Sequence, residues 1–153
     1  MAERRTTVSD ENKAIARKLM EEAWNKGRLE VVDELISAGC RFHDSVFPSL
    51  TSGAGNYKQH IQTCRTAFPD LKITIEDTIA ERNEVVLHWK AHGTHRGPFL
   101  GMPPTEKSAT ISGTSINRID KGKIAEQWVD WNLLSLMEQL GVAMQSQPAK
   151  SKR

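Results

Sequence analysis

The sequence predicts an α+β domain in which N-terminal helices pack into the concave face of a curved antiparallel sheet, in the order ααβαββββ. Three observations predict it. Apolar residues recur at helical spacing before Pro69, and with a period of two after it. The segments after Pro69 are long for strands, so the sheet they form must twist and curl. The chain has 153 residues, no internal repeat and no second composition, the dimensions of one domain with a full core.

Ser9 and Asp10 offer helix-capping oxygens, and Ile15, Leu19, Ala23 and Trp24 follow at helical spacing until Gly27. A second short helix carries Leu29, Val32, Leu35 and Ile36 on one side, with Gly39 as its stop. Cys40-Arg41-Phe42-His43 reads as a short strand. A third helix puts Tyr57, Ile61, Cys64 and Phe68 on one stripe and halts before Pro69. Leu71, Ile73 and Ile75 then alternate with Lys72, Thr74 and Glu76 in a half-buried strand. Val85 to His95, Ser108 to Ile119 and Ile124 to Trp131 are three more strands. Asp120-Lys121-Gly122-Lys123 joins the last two with the glycine that a tight hairpin needs. Leu133 to Leu140 is a last short helix stopped by Gly141. Residues 1–9 read as a flexible N-terminus, 10–141 as the folded domain and 142–153 as a disordered tail.

Composition narrows the function. The formal charge of +2 comes from the ends: without residues 1–5 and 150–153 there are 16 basic and 18 acidic residues. A body of about −2 has no surplus to neutralise phosphates, so nucleic acid is not an expected partner. No apolar run reaches the roughly 18 residues of a membrane span, and the first residues lack a signal-peptide core, so a cytoplasmic location is expected. Cys40 and Cys64 are then expected to stay reduced. His88, His92 and His95 do not make a metal site. The first two lie about 13 Å apart along a strand, and the third points to the other face.

Four stretches in order carry a resemblance. They are Phe42-His43-Asp44, Phe68-Pro69-Asp70-Leu71, the run from Gly93-Thr94-His95 to Pro103-Pro104-Thr105, and Arg118 to Trp128 continuing into Leu133 to Gly141. With its element order, the chain from about Asn12 to Gly141 resembles the SnoaL-like polyketide cyclases (ester cyclases) of the nuclear-transport-factor-2-like superfamily. The resemblance implies a conical α+β barrel, a homodimer and no cofactor. It also implies an intramolecular aldol condensation of a polyketide-like ester, with a pocket aspartate acting as acid and base. The family's usual aspartate position, four residues beyond the tryptophan of the last strand, holds Asn132. The nearest aspartate is Asp130. The same fold hosts isomerases, dehydratases, epoxide hydrolases and non-catalytic binding modules, and these remain alternatives.

Asp130, beside Trp128 and Trp131, is the expected acid-base residue, since desolvation would raise its pKa. The alternative is a cap on the helix starting at Leu133. His43 is expected near the pocket mouth as a second proton carrier or a carbonyl-polarising donor, or else as a hydrogen-bonded strand-end histidine. Trp24, Phe47, Phe68, Trp89, Trp128 and Asn132 are candidate substrate contacts, and the tryptophans serve equally as plain core. Phe99 and Met102 lie in a Gly/Pro-punctuated loop that serves as a lid, as core or as a subunit contact. An apolar wall with few polar groups suits a small apolar or polycyclic ligand.

Overall fold

The computed structural model describes residues 7–142, and the expectations for residues 1–6 and 143–153 lie outside that range. Helix α1 (Val8–Lys18) runs directly into a π-helical stretch, Leu19–Asn25. Thr7, not Ser9 or Asp10, is the N-cap. Its hydroxyl accepts the Asp10 N–H and the Asp10 carboxylate accepts the Thr7 N–H, a reciprocal capping box. Residues 8 and 9 therefore belong to the helix and not to a flexible end. Helix α2 (Glu30–Leu35) is shorter than expected. Ile36, read from sequence as its last apolar position, instead starts strand β1 (Ile36–Asp44), and Gly39 lies inside that strand and stops nothing.

Helix α3 (Ala54–Ala67) is followed by β2 (Lys72–Glu81), β3 (Glu84–Thr94), β4 (Ser108–Asp120), β5 (Lys123–Trp131) and α4 (Leu133–Leu140). The sheet order is β1-β5-β4-β3-β2, and the curved sheet stays open. β2 to β5 pair antiparallel, and the two hairpin turns at residues 81–84 and 120–123 put Arg82, Lys121 and Gly122 in the left-handed region. β1 departs from the expected antiparallel sheet and runs parallel to β5. Hairpin-linked neighbours must reverse direction. β1 and β5 are separated by α3 and three strands, so no turn dictates theirs.

Helices α1 to α3 and the π segment lie against the concave face. Ala16, Leu19, Met20, Val32, Ile61 and Leu87 form part of its main core, all buried. A smaller cluster of Phe68, Phe99, Met102, Ala109, Leu136 and Leu140 joins the end of α3, the loop after β3 and α4. Edge strand β2 is protected by Asn25, whose side-chain amide donates to the Ile73 carbonyl and accepts the Ile73 N–H at 2.8 and 2.6 Å. That double bond occupies the backbone groups an incoming strand would use.

The seat of Trp89 fixes the sheet's inner surface. Its indole lies flat over Gly113, where an added Cβ would sit 2.3 Å from the ring, and its Nε1–H donates to Ser115 Oγ at 2.9 Å. Gly113→Ala is therefore expected to destabilise the fold by about 3 kcal/mol, because the ring must leave its place and its buried hydrogen bond. In a Trp89→Leu background the same change should cost less than half as much, by urea denaturation in a double-mutant cycle.

Candidate active site

A cavity of about 120 Å³ remains between the helices and the concave face. Its wall is mostly aromatic. Phe42 and Tyr57 stack at 4.7 Å with rings 5° apart, and Trp24 meets Tyr57 edge-on, donating its Nε1–H to the Tyr57 hydroxyl at 2.9 Å. Phe47 packs edge-on against His60 at 4.5 Å and alongside Trp131 at 6.4 Å. Phe99 closes another side, edge-on to Phe47 at 5.9 Å and to Phe68 at 5.3 Å. Phe99 and Met102 exchange both backbone hydrogen bonds, at 3.0 and 2.8 Å, around a tip that holds Leu100 at φ +50°.

A few polar groups interrupt this wall. Asp44 is buried at the end of β1, and its Oδ1 accepts the Val46 and Phe47 N–H groups at 2.8 and 3.3 Å. Burial pushes its carboxyl pKa up. The two backbone donors and the Trp131 side chain pull it back in part, and the negative charge of Asp130 adds to the rise. His60, on α3, has its pKa lowered to about 4 by burial, so its imidazole is neutral at pH 7. Burial likewise raises the Tyr57 hydroxyl, which therefore keeps its proton, and holds the Cys64 thiol up at about 12. Gln127 also faces the cavity, its Nε2 donating to Asn117 Oδ1 at 2.7 Å. Asp44 is the sole carboxylate lining the cavity among the described residues.

Of the residues singled out from sequence, Trp24, Phe47, Phe68, Trp89 and Phe99 line the cavity, whereas Met102 is buried in the smaller cluster beside it. Asp130 and Trp128 lie on the opposite, outer face of β5, and Asp130 is exposed. Asp130 does not cap α4 either. Asn132 does, its Oδ1 accepting the Ser135 N–H at 2.9 Å. His43 borders the cavity, but its imidazole stacks on Trp128 at 5.2 Å and bonds Glu126 Oε2 at 2.7 Å on the outer face. Glu126 also takes Arg41 at 3.0 Å and Arg118 at 3.3 Å, which makes it the hub of an outer ion-pair cluster.

A β-bulge explains the inversion. The register shifts between Arg118 and Ile119, so Ala125 is an extra residue between Ile124 and Glu126. Unbroken alternation from buried Ile124 would carry Glu126, Trp128 and Asp130 inward. The bulge reverses the parity, and Gln127, Val129 and Trp131 face the cavity instead.

Sequence reading passed over Asp44 and His60, though both left a signal. Asp44 is two residues from Phe42 and four from Cys40 on the buried face of β1, and His60 stands three residues past Tyr57 on the α3 stripe.

Comparison with known proteins agrees with this architecture. Residues 14–140 match the family model described as SnoaL-like polyketide cyclase. A nogalonic acid methyl ester cyclase from Streptomyces nogalater is 29% identical over 125 residues, covering 80% of this chain and 92% of that protein. A solved structure from Jannaschia sp. CCS1, described as SnoaL-like, superposes with a TM-score of 0.81 over 94% of this chain and all of that one, at 22% identity. A polyketide cyclase structure from Acidithiobacillus ferrooxidans gives a TM-score of 0.78 at 28% identity, over 90% of this chain and 99% of its own.

The half-buried, neutral His60 sets a pH dependence. With its folded pKa depressed from 6.5 to about 4, its contribution to stability is complete above pH 6.5 and is lost as pH falls toward 4. His60→Gln is expected to remove roughly 3 kcal/mol of the stability change between those limits. Urea denaturation of both proteins at stepped pH would show it.

Proposed function

The chain belongs to the SnoaL-like polyketide cyclase family, and from that premise we propose that it closes a carbon ring by intramolecular aldol condensation in a polyketide-like ester, with no cofactor. The observation that carries the reading is Asp44, a buried carboxylate of raised pKa facing an aromatic cavity. In this proposal Asp44 takes the part that sequence reasoning gave to Asp130.

Ring closure needs one group to move a proton twice. The Asp44 carboxylate removes an acidic C–H proton from the carbon between two carbonyls, and the resulting enolate attacks a second carbonyl carbon. A C–C bond forms, the C=O π pair becomes an alkoxide, and the proton on Asp44 returns to that oxygen. Desolvation makes the carboxylate a stronger base than it would be in water, and its partners Val46, Phe47 and Trp131 hold it in one orientation. The Tyr57 hydroxyl accepts the Trp24 N–H and keeps its own proton available as a donor to the developing oxyanion. Neutral His60 supplies a second hydrogen-bonding edge without adding charge to the cavity.

The second reading is a non-catalytic ligand-binding module, favoured by Asn132 at the family's usual aspartate position, where it caps α4. The proposal extends to a reducing cytoplasmic setting and to a homodimer through the outer face, where Val86, Ile116 and Trp128 are only half-buried in the single chain. Light scattering on the purified protein should then return the mass of two chains.

Proton exchange at the α-carbon of a β-keto ester in deuterated water, followed by proton NMR, separates the two functional readings. Asp44→Asn should slow the protein-dependent exchange by about 10³-fold, while Asp130→Asn and His43→Gln stay within about twofold of the parent. Loss of exchange in Asp130→Asn with Asp44→Asn active would overturn the assignment. No protein-dependent exchange at all would favour the binding module.

A further inference from the structure

We propose that Gln127 is a positioning residue. Oriented by Asn117, it holds the Tyr57 hydroxyl as a one-way donor toward the cavity, and this end of the site therefore takes an acceptor oxygen, a carbonyl or an enolate. The inference rests on the reading that the cavity is the substrate site, and it deepens that reading by naming the ligand group that belongs at Tyr57.

The sheet supplies the relay. Asn117 on β4 stands opposite Val85 on β3 and opposite Gln127 on β5, so the three form a row across the strands. Asn117 and Gln127 are 1% and 2% exposed, in a core otherwise built from side chains such as Leu87 and Ile124. The Val85 carbonyl can only accept. Asn117 therefore turns its Nδ2 to that carbonyl, at 3.4 Å, and its Oδ1 to β5. Gln127 must then offer Nε2, and it does so at 2.7 Å. One backbone acceptor thus sets both amides in turn.

The second N–H of Gln127 Nε2 serves Tyr57. The Gln127 side chain hydrogen-bonds the Tyr57 hydroxyl and works against the rise in its pKa. Only a donor to the phenolic oxygen acts in that direction, so the edge facing Tyr57 is N–H and not C=O. Trp24 Nε1–H donates to the same oxygen at 2.9 Å. Two donors occupy both lone pairs of the hydroxyl, and its ring is fixed by the stack on Phe42. The Tyr57 proton is left for a third partner, on the side of the cavity that Trp24, Tyr57 and Gln127 all line.

The sheet does not need this amide pair to hold together. Two apolar side chains of the same shape would pack there at little cost. They would, however, leave one lone pair of the Tyr57 hydroxyl open and the hydroxyl free to turn.

Tyr57 is the only tyrosine in the chain, so a ¹³C label at tyrosine Cζ reads this hydroxyl alone. Two near-isosteric probes are titrated: acetophenone, with an acceptor oxygen, and α-methylstyrene, with a methylene group in its place. The indole N–H signals of Trp24, Trp89 and Trp131 report binding in the cavity. Acetophenone is expected to move the Tyr57 Cζ signal, and α-methylstyrene to leave it. Gln127→Glu exchanges the donor for an acceptor that captures the Tyr57 proton. It should abolish the Cζ response and lower the affinity ratio of acetophenone to α-methylstyrene by about fivefold. Tyr57→Phe should lower the ratio by the same factor, and the double variant by no more.

A merely structural role for Gln127 would weaken both probes together and leave the ratio alone. Should Gln127→Glu fail to fold, Gln127→Met removes the donor without adding an acceptor and should still lower the ratio by about twofold. An unchanged ratio in the folded Gln127 variants overturns the proposal, and so does a Cζ signal that both probes move alike. Probes that leave the three indoles in place overturn it too, by removing its premise. Both readouts measure binding, so a negative proton-exchange result at Asp44 leaves them standing and the two failures stay distinguishable.

Discussion

Asp44 in an aromatic cavity is the constraint from which the rest of the site follows. Burying a carboxylate away from water costs free energy unless donors replace the lost solvent. Here the Val46 and Phe47 N–H groups, which follow directly as β1 ends, supply part of that replacement. The compensation is incomplete, so the carboxyl is left with a raised proton affinity. The stability lost to that shortfall is the same quantity that would make the group useful as a base in the proposed reaction.

Around it the cavity keeps its polar groups neutral by one mechanism. Desolvation lowers the His60 pKa and raises those of Tyr57 and Cys64, and each shift favours the uncharged form. The outer face of the same strands does the opposite. Arg41, Arg118 and His43 gather on Glu126 and hold its carboxyl below the usual range, the His43 hydrogen bond first among the causes. Adjacent residues of β1, His43 and Asp44, thus experience contrary environments across one sheet. The pleat of the strand separates the two chemistries more effectively than distance along the chain could.

Much of the fold was legible because it rests on local patterns. The change of period at Pro69, the hairpin at 120–123 and the α4 helix ended by Gly141 stand where the sequence puts them. Five of the proposed cavity aromatics do line the cavity, since large apolar side chains at helical or strand spacing have few other places to go. The site was less legible. Asp130 was read as a pocket residue or a helix cap, and it is one residue away from a side chain that does line the cavity, Trp131. His43, expected near the pocket mouth, borders the cavity beside Asp44 while its imidazole bonds Glu126. In a strand, an error of one residue is an error of face.

The sequence by itself determined the α+β class, the order of elements and the apolar character of the pocket, because periodicity and composition act over short stretches of chain, and its motifs carried the resemblance to the family. Tertiary structure decided which face of each strand meets the cavity, that β1 runs parallel to β5, and that Asp44 is the carboxylate enclosed. The physical reason is the bulge at Ala125. It inserts one residue between two paired strands, and its effect is defined by the partner strand's register, which the residues of β5 alone do not contain.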